Sequence, residues 1–353
     1  MKRLYSLIIL FGWFGYASAQ IITGFVHDGA TKQPIPGVNV YLDGTSIGTV
    51  TDASGRFELK AKSVINTRLM LSHVAYYTVV INRPFEGIPD IVYLKERVNE
   101  LKEVSILADR FSREQKMQAF RYFFLGATKA GKACSIQNED DIEISFNMQT
   151  RTLSASSDKP IVVVNNYLGY RVLFEMVDFK VKYYDRDTEF TSLEPFLSPV
   201  QKISFFFFSS FTDLSPENKK VKQRRDEVYK GASNYFFKSF INSTLQNNGF
   251  KISIGNFLID SQKFFTMKDT LSQKMISIIP ERKMSYEEDG LEDVFLKINV
   301  RDNNSNKTSI FFLTDSLLVD RYGNISCPDK IMFTGVMDKR AGEMLPEEYE
   351  LQK

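Results

Sequence analysis

Two short motifs in this chain have spacing that could support chemistry. Residues 44–48, "GTSIG", fit the pattern in which a hydrolase places a serine nucleophile, here Ser46, on a strand-to-helix turn. Residues 126–133, "GATKAGKA", fit a phosphate loop except that Ala133 stands where Ser or Thr must bind Mg²⁺. The first motif lies in a predicted strand hairpin and the second follows a predicted helix, so neither has the required context. We predict no catalytic residue and no bound nucleotide.

Metal-ligating residues are sparse. The only histidines are His27 and His73, and neither has a second ligand at motif spacing. Acidic runs at 139–141 and 287–289 lie in polar segments without the fixed carboxylate positions of a calcium loop. We therefore expect no metal and no cofactor. Because carboxylates are plentiful, a hydrolase of envelope polymers that uses paired carboxylates in the second domain remains an alternative.

A basic run starts the second helical region and includes Arg224 and Arg225. Arginine binds phosphate and carboxylate groups bidentately, so this pair is a candidate interaction patch. The competing interpretation is a solvated helix face, which is the usual role of a charge run.

The two cysteines, Cys134 and Cys327, lie far apart in the chain. In an oxidising compartment they could form one disulfide that closes a long loop. They could equally be buried thiols of the core. The sequence leaves both alternatives open.

The N-terminus has the pattern of an export signal. Lys2 and Arg3 precede an apolar run, and Ala17 and Ala19 fit the small-residue positions before a cleavage site. We expect cleavage between Ala19 and Gln20, which leaves 43 basic and 43 acidic residues and argues against nucleic-acid binding. No later run reaches the roughly 18 apolar residues of a membrane span. The expected location is the periplasm, or the outer membrane as an associated protein.

Short strands with alternating apolar residues, separated by turn residues, fill positions 20–97 and predict an all-β sandwich. The segment "GFVHDGATKQPIPGVNVYLDGTSIGTVTDASGRFEL" closely resembles the regulatory domain first described in carboxypeptidase D. The resemblance implies a transthyretin-like sandwich of seven strands. It also implies export, because such modules often begin exported proteins of Bacteroidetes. The zinc of that family's catalytic domain needs two histidines and a glutamate, and no histidine follows residue 107, so carboxypeptidase activity is not expected.

After a predicted linker at 98–110, residues 111–353 are expected to form an α+β domain with an antiparallel sheet. A capping box at Ser112 and Gln115 predicts a helix over 112–131, and a second helical region opens after Ser215 and breaks near Gly231. The segments "RRDEVYKGASNYFFKSF" and "GEMLPEEYE" resemble the uncharacterised C-terminal part of exported Bacteroidetes proteins that carry the regulatory module. That resemblance implies no activity.

The sequence therefore favours a non-catalytic protein of the cell envelope that acts as a binding or assembly module. Its partner would be an envelope protein or a glycan, whose identity the sequence does not reveal. An accessory subunit of an outer-membrane transport complex is a further alternative.

Overall fold

The computed structural model describes most of the chain after the predicted signal. The described residues are 20–97, 110–184, 190–194, 197–198, 200–270, 272–279, 284–286 and 291–351. Gln20 begins the first strand, whereas Ala19 and nearly all of the predicted linker lie outside these residues.

The N-terminal part consists of two sheets packed face to face. Its strands are β1 (Gln20–Asp28), β2 (Asn39–Leu42), β3 (Gly48–Val50), β4 (Arg56–Ala61), β5 (Arg68–Ser72), β6 (Val79–Asn82) and β7 (Ile91–Leu94), with a 3₁₀ turn at Pro84–Glu86. One sheet has the order β4-β1-β7 and the other β3-β2-β5-β6. Only the β1–β7 pair is parallel.

Alternation along the strands sets the two faces of the first sheet. Ile22 and Val26 of β1 are buried between the sheets, while Ile21 and Phe25 point to the outer face. Complete burial of an aliphatic side chain of this size contributes about 1.5–3 kcal/mol. The inner faces therefore hold the two sheets together, as the predicted alternation requires.

A long antiparallel strand pair dominates the middle of the chain. The elements are α1 (Arg113–Leu125), α2 (Lys129–Lys132), β8 (Cys134–Ile136), β9 (Glu143–Asn147), β10 (Thr152–Ser156), β11 (Ile161–Asn165), β12 (Tyr170–Tyr183) and β13 (Val200–Asp213), with a 3₁₀ turn at Glu139–Asp141. The strands run in the order β8-β11-β12-β10-β9, and β13 pairs along β12. All pairings in this sheet are antiparallel.

The first helix begins where the capping box predicts. The Ser112 side chain accepts a hydrogen bond from the Gln115 backbone N–H at 3.2 Å, and the Gln115 side chain accepts one from the Ser112 N–H at 2.9 Å. The helix ends at Leu125 rather than at 131, because Gly126 adopts a left-handed φ of 90° that ends α1.

The last part of the chain contains two helices followed by short strands. They are α3 (Lys219–Lys230), α4 (Ser233–Ile241), β14 (Lys251–Ile254), β15 (Phe257–Leu258), β16 (Phe265–Asp269), β17 (Lys274–Ile278), β18 (Met284–Tyr286), β19 (Leu291–Val294), β20 (Leu296–Arg301), β21 (Lys307–Phe312), β22 (Ser316–Val319) and β23 (Ile331–Phe333). Further 3₁₀ turns lie at Ser261–Lys263, Pro328–Lys330, Gly335–Met337 and Ala341–Glu343. The sheets have the orders β15-β14-β20-β21-β23, β16-β17-β22 and β18-β19. The two helices are separated at Gly231, where the sequence predicts a break.

Beyond residue 110 the apolar side chains form two large clusters rather than one. The first packs α1 against the β8–β13 sheet through phenylalanine pairs such as Phe120 and Phe179, whose ring centroids are 4.8 Å apart. The second packs α4 against the sheets of the last part of the chain. Phenylalanines thus make up much of the core, and the apolar side chains beyond residue 110 form two packed units.

The sandwich docks onto both units through the turn after β2. The Gly44 N–H donates to the Ser209 carbonyl at 2.7 Å, and the Phe211 N–H donates to the Thr45 carbonyl at 2.9 Å. On the other side of the turn, the Glu347 N–H donates to the Gly44 carbonyl at 2.9 Å. This turn therefore joins the sandwich to β13 and to the C-terminal segment at once.

Further contacts join the sandwich to both C-terminal units. Tyr41 and Thr78 of the sandwich donate hydroxyl hydrogen bonds to the two oxygens of Glu175 on β12, at 2.8 and 2.7 Å. The Asn66 N–H donates to the buried Asp320 carboxylate at 2.8 Å, and Tyr322 packs into the sandwich core.

Carboxylates converge on this junction. Burial raises the pKa of Glu347 to about 8; Asn234, which donates a hydrogen bond to it at 2.8 Å, opposes the shift, and the nearby Asp320, Asp43 and Glu348 add to it. Burial also raises the pKa of Asp43 to about 6, against hydrogen bonds from the Ser209 and Gly44 N–H groups and the charge of Arg68. The junction therefore disfavours the ionised form of both carboxyl groups.

We expect Glu347→Gln to remove a pH-dependent loss of stability. Because the pKa of Glu347 is higher in the folded protein than in the unfolded chain, Glu347 contributes its full stabilisation below its ordinary pKa of 4.5. That contribution is lost as the pH rises through about 8. At about pH 9 the variant should resist urea better than the parent by about 1–2 kcal/mol, because residual solvent contact screens part of the shift. Near pH 5 the advantage should shrink. Exposed Glu86→Gln is the control, and an unchanged difference across this pH range would contradict the assignment.

Candidate functional site

The candidate site is a cleft of about 700 Å³ where the two C-terminal units meet. Its walls come from the start of α2, the residue Tyr167 between β11 and β12, the end of α3, the start of α4, and the turns at 247–250 and 302–306. The segment 336–343 closes one side. The cleft thus gathers residues that are far apart in the chain.

Lys339 is the most unusual residue in this cleft. Its side chain is half-buried, and burial lowers its pKa, against the opposing charge of Glu343. Within the described part of the chain, its ammonium group has neither a hydrogen bond nor an ion pair. A half-buried charge without a partner costs free energy, which a ligand of opposite charge would recover.

Two more lysines, Lys129 and Lys230, line the same cleft and are exposed. Neither forms an ion pair with a residue that the structure describes. Of the acidic residues, Asp302 accepts hydrogen bonds from the backbone of its own turn at 2.9 Å, and Glu343 accepts one from the Arg340 N–H at 3.1 Å. Glu227 is exposed at the rim. The three lysines therefore have fewer hydrogen bonds and ion pairs than Asp302 and Glu343.

Tyrosine and asparagine side chains supply the neutral part of the wall. Tyr167 and Tyr235 are half-buried and leave part of their rings at the cleft. Asn247 and Asn303 are exposed amides, and residue 249, beside Asn303, has a left-handed φ of 82° that favours the glycine found there. Rings with amides at their edges suit ligands rich in hydroxyl groups.

The two arginines that the sequence pairs have different roles. Arg225 is only 3% exposed; its guanidinium binds both oxygens of Asp213 at 2.7 and 2.8 Å and donates to the Leu168 and Gly169 carbonyls. Burial would raise the pKa of Asp213, but hydrogen bonds from Arg225 and the Ser215 N–H lower it overall. This corrects the hypothesis for Arg225. Its side chain fixes the end of β13 and is too buried to form part of an interaction surface.

Arg224 lies on the helix face beside the cleft. Its guanidinium stacks 4.6 Å from the centroid of the Tyr167 ring and donates to the Tyr167 carbonyl at 3.4 Å. Arg224 therefore supports a cleft residue, and the interaction patch predicted from both arginines is reduced to this one.

The two cysteines are free thiols in separate clusters. Cys134 packs against the first C-terminal cluster, where burial raises the pKa of its thiol to about 12. Cys327 packs against the second, and burial raises the pKa of its thiol as well. The structure thus corresponds to the core-thiol alternative rather than to the disulfide.

The two motifs that resemble catalytic sites lie outside the strand contexts that such sites require. Ser46 lies in the turn between β2 and β3, and its N–H donates to Glu348 at 2.8 Å. Residues 126–133 connect α1 to α2 and β8 without a preceding strand. Glu139 and Asp141 pair with Arg121 and Lys159 at 2.6 and 2.7 Å, and residues 287–289 lie outside the described residues.

The histidines lie on the sandwich. His27 is on the outer face between Phe25 and Tyr93, and His73 accepts a hydrogen bond from the Ala75 N–H at 3.2 Å. In the part of the chain that the structure describes, no three His, Cys, Asp or Glu side chains gather in a way that could hold a metal ion. Nor do the described residues include a helix long and apolar enough to cross a membrane.

Residues 22–106 match the family model described as a CarboxypepD_reg-like domain. The match covers about a quarter of the chain and confirms the domain that the motif at residues 24–59 predicts. It ends beyond the boundary predicted at 97. A comparison with curated proteins found no match.

The cleft itself was not predicted from the sequence. Its wall comes from several distant segments, each of which resembles an ordinary polar turn on its own. The available signal was the pair of asparagine-rich turns, at 247–248 and 303–306, but only the fold places them side by side.

We expect Arg225→Ala and Arg224→Ala to differ sharply in stability. Removing Arg225 takes the donor from the buried Leu168 and Gly169 carbonyls and from the exposed Asp213, and should cost about 1–3 kcal/mol, the usual cost of leaving buried polar groups unpaired. Removing Arg224 loses one stacking contact, which is worth about 0.5–1 kcal/mol. Urea unfolding of both variants measures the difference. Equal effects would show that the hydrogen bonds of the buried Arg225 are unimportant.

Proposed function

We propose that the protein is a non-catalytic, exported protein of the cell envelope that acts as a binding or assembly module. The observation that carries this proposal is the open polar cleft between the two C-terminal units, which presents tyrosines, amides and an unpaired lysine to solvent. Ligand sites are concave and combine a few orienting polar groups with ring surfaces. We infer that the cleft takes a segment of an envelope glycan or protein.

The finer architecture is part of the same proposal. Residues 20–97 would form a transthyretin-like sandwich of seven strands, and residues 111–353 the uncharacterised α+β part of an exported Bacteroidetes protein. The two face-to-face sheets support the first assignment, and the antiparallel sheets flanked by helices support the second. The signal pattern before Gln20 supports a periplasmic or outer-membrane-associated location.

A second candidate function is that of an accessory subunit in an outer-membrane transport complex. It is favoured by the outer face of the β4-β1-β7 sheet, where Ile21, Phe25, Ile91 and Tyr93 are exposed by 55%, 39%, 37% and 46%. These side chains lie on neighbouring strands, since Phe25 is paired with Ile91. Contiguous exposed apolar groups on a soluble surface are typical of protein contacts.

Occlusion of the cleft tests the binding proposal. Asn247→Trp places a large ring at the exposed rim, and we expect it to abolish binding of the mature protein to envelope glycans or peptides on an array. Asn256→Trp, on an exposed turn outside the cleft, is the matched control and should bind normally. Thermal unfolding checks that both variants fold. Retained binding by Asn247→Trp would reject the cleft as the site.

The double variant Phe25→Thr and Tyr93→Thr tests the outer face of the β4-β1-β7 sheet independently of the cleft. Both side chains lie on the outer face, so the variant should fold while its affinity for a protein partner recovered by cross-linking in the native envelope falls by at least about tenfold. Asn247→Trp should leave that partner's affinity unchanged. An accessory-subunit role would be rejected if the outer-face variant kept its partner.

A further inference from the structure

Three lysines converge on one cleft from three different elements. Lys129 comes from α2, Lys230 from the end of α3 and Lys339 from the segment after β23. Among the described residues none of the three has an ion pair. The half-buried position of Lys339 makes it the least solvated of them.

Among the described residues, the acidic side chains of the cleft form no ion pair with these lysines, although the charge of Glu343 acts on Lys339. Both oxygens of Asp302 accept hydrogen bonds from Asn306, at 2.9 and 2.8 Å, so its charge is held by its own turn. Glu343 is held at the start of its 3₁₀ turn by the Arg340 N–H. The lysine ammonium groups therefore retain donors that can bind an anion from outside.

The neutral wall decides between classes of ligand. A peptide site would need apolar pockets for alternate side chains, or an edge strand to extend. None of the residues that line the cleft belongs to a β-strand, and beside the apolar side chains of Val228, Phe250 and Val336 it has amides at 247 and 303 and the two tyrosine rings of 167 and 235. Amides bind sugar hydroxyls, and sugar rings pack on aromatic faces.

From this arrangement we propose that the cleft binds an acidic glycan, with Lys339 as the residue that pairs with its anionic group, a carboxylate or a phosphate. The inference rests on the proposed binding function and specifies its ligand. Tyr167 and Tyr235 would contact the sugar rings, and Lys129 and Lys230 would steer the anion towards the cleft.

Matched pairs of probes test the charge requirement. Tetragalacturonate and mannopentaose 6-phosphate carry the two anionic groups, and methyl-esterified tetragalacturonate and mannopentaose are their neutral counterparts. In calorimetric titrations with the mature protein we expect at least one acidic probe to bind about tenfold or more tightly than its neutral counterpart. Binding should weaken with added salt, because the contact is between charges.

Lys339→Met keeps the length of the side chain and removes its charge. We expect it to lower affinity for the bound acidic probe by about tenfold, the loss of one charge-assisted contact, and to leave the neutral probe unchanged. Exposed Lys263→Met, outside the cleft, is the control. Thermal unfolding of both variants excludes a folding defect.

The outcomes separate this inference from the proposed function. Equal binding of acidic and neutral probes, lost in Asn247→Trp, would overturn the acidic-ligand inference and keep the cleft as a binding site. Acidic binding that survives Lys339→Met would overturn the role of Lys339. Binding of neither acidic probe would overturn the inference, and absence of any array ligand for the cleft would overturn the proposed function as well.

Discussion

The arrangement of the molecule depends on the main chain of one turn. The Gly44 N–H donates to the Ser209 carbonyl of β13, and the Gly44 carbonyl accepts from the Glu347 N–H of the C-terminal segment. The carbonyl of the neighbouring Thr45 accepts from the Phe211 N–H. A Cβ at residue 44 would lie 2.8 Å from the Glu347 side chain, and the left-handed φ of 73° already favours glycine. Backbone groups that are buried must be paired, so this turn fixes the sandwich relative to both other units.

Burying carboxyl groups at the junction costs free energy, which the surrounding hydrogen bonds offset. The half-buried Asp43 and Glu347 lie close to the buried Asp320, where like charges repel and burial disfavours ionisation. The Asn66 N–H and the Asn324 amide donate to Asp320, the Asn234 amide donates to Glu347, and the Ser209 N–H donates to Asp43. Removing Asn234 would take this donor from the Glu347 carboxyl group, at a cost in stability.

Sequence reasoning succeeded where the evidence is local. Alternation along β1 and the capping box at Ser112 depend on neighbours within a few residues, and both predict what the structure contains. It failed where a property depends on distant packing. Arg225 looks like one member of a solvated basic run, yet its side chain is buried. It binds the Asp213 carboxylate, twelve positions earlier, and the Leu168 and Gly169 carbonyls before β12. Lys339 resembles any surface lysine until the turns at 247 and 303 are placed beside it.

Tyr322 gives the sandwich a dependence on the far end of the chain. Its ring is 3% exposed within the apolar cluster of the N-terminal sheets, and its hydroxyl accepts from Ser63 at 3.1 Å. The sandwich therefore cannot complete its core until Tyr322, 259 positions after Ser63, has been made. Folding of the two ends is coupled across a very long loop, so the order of folding need not follow the order of synthesis.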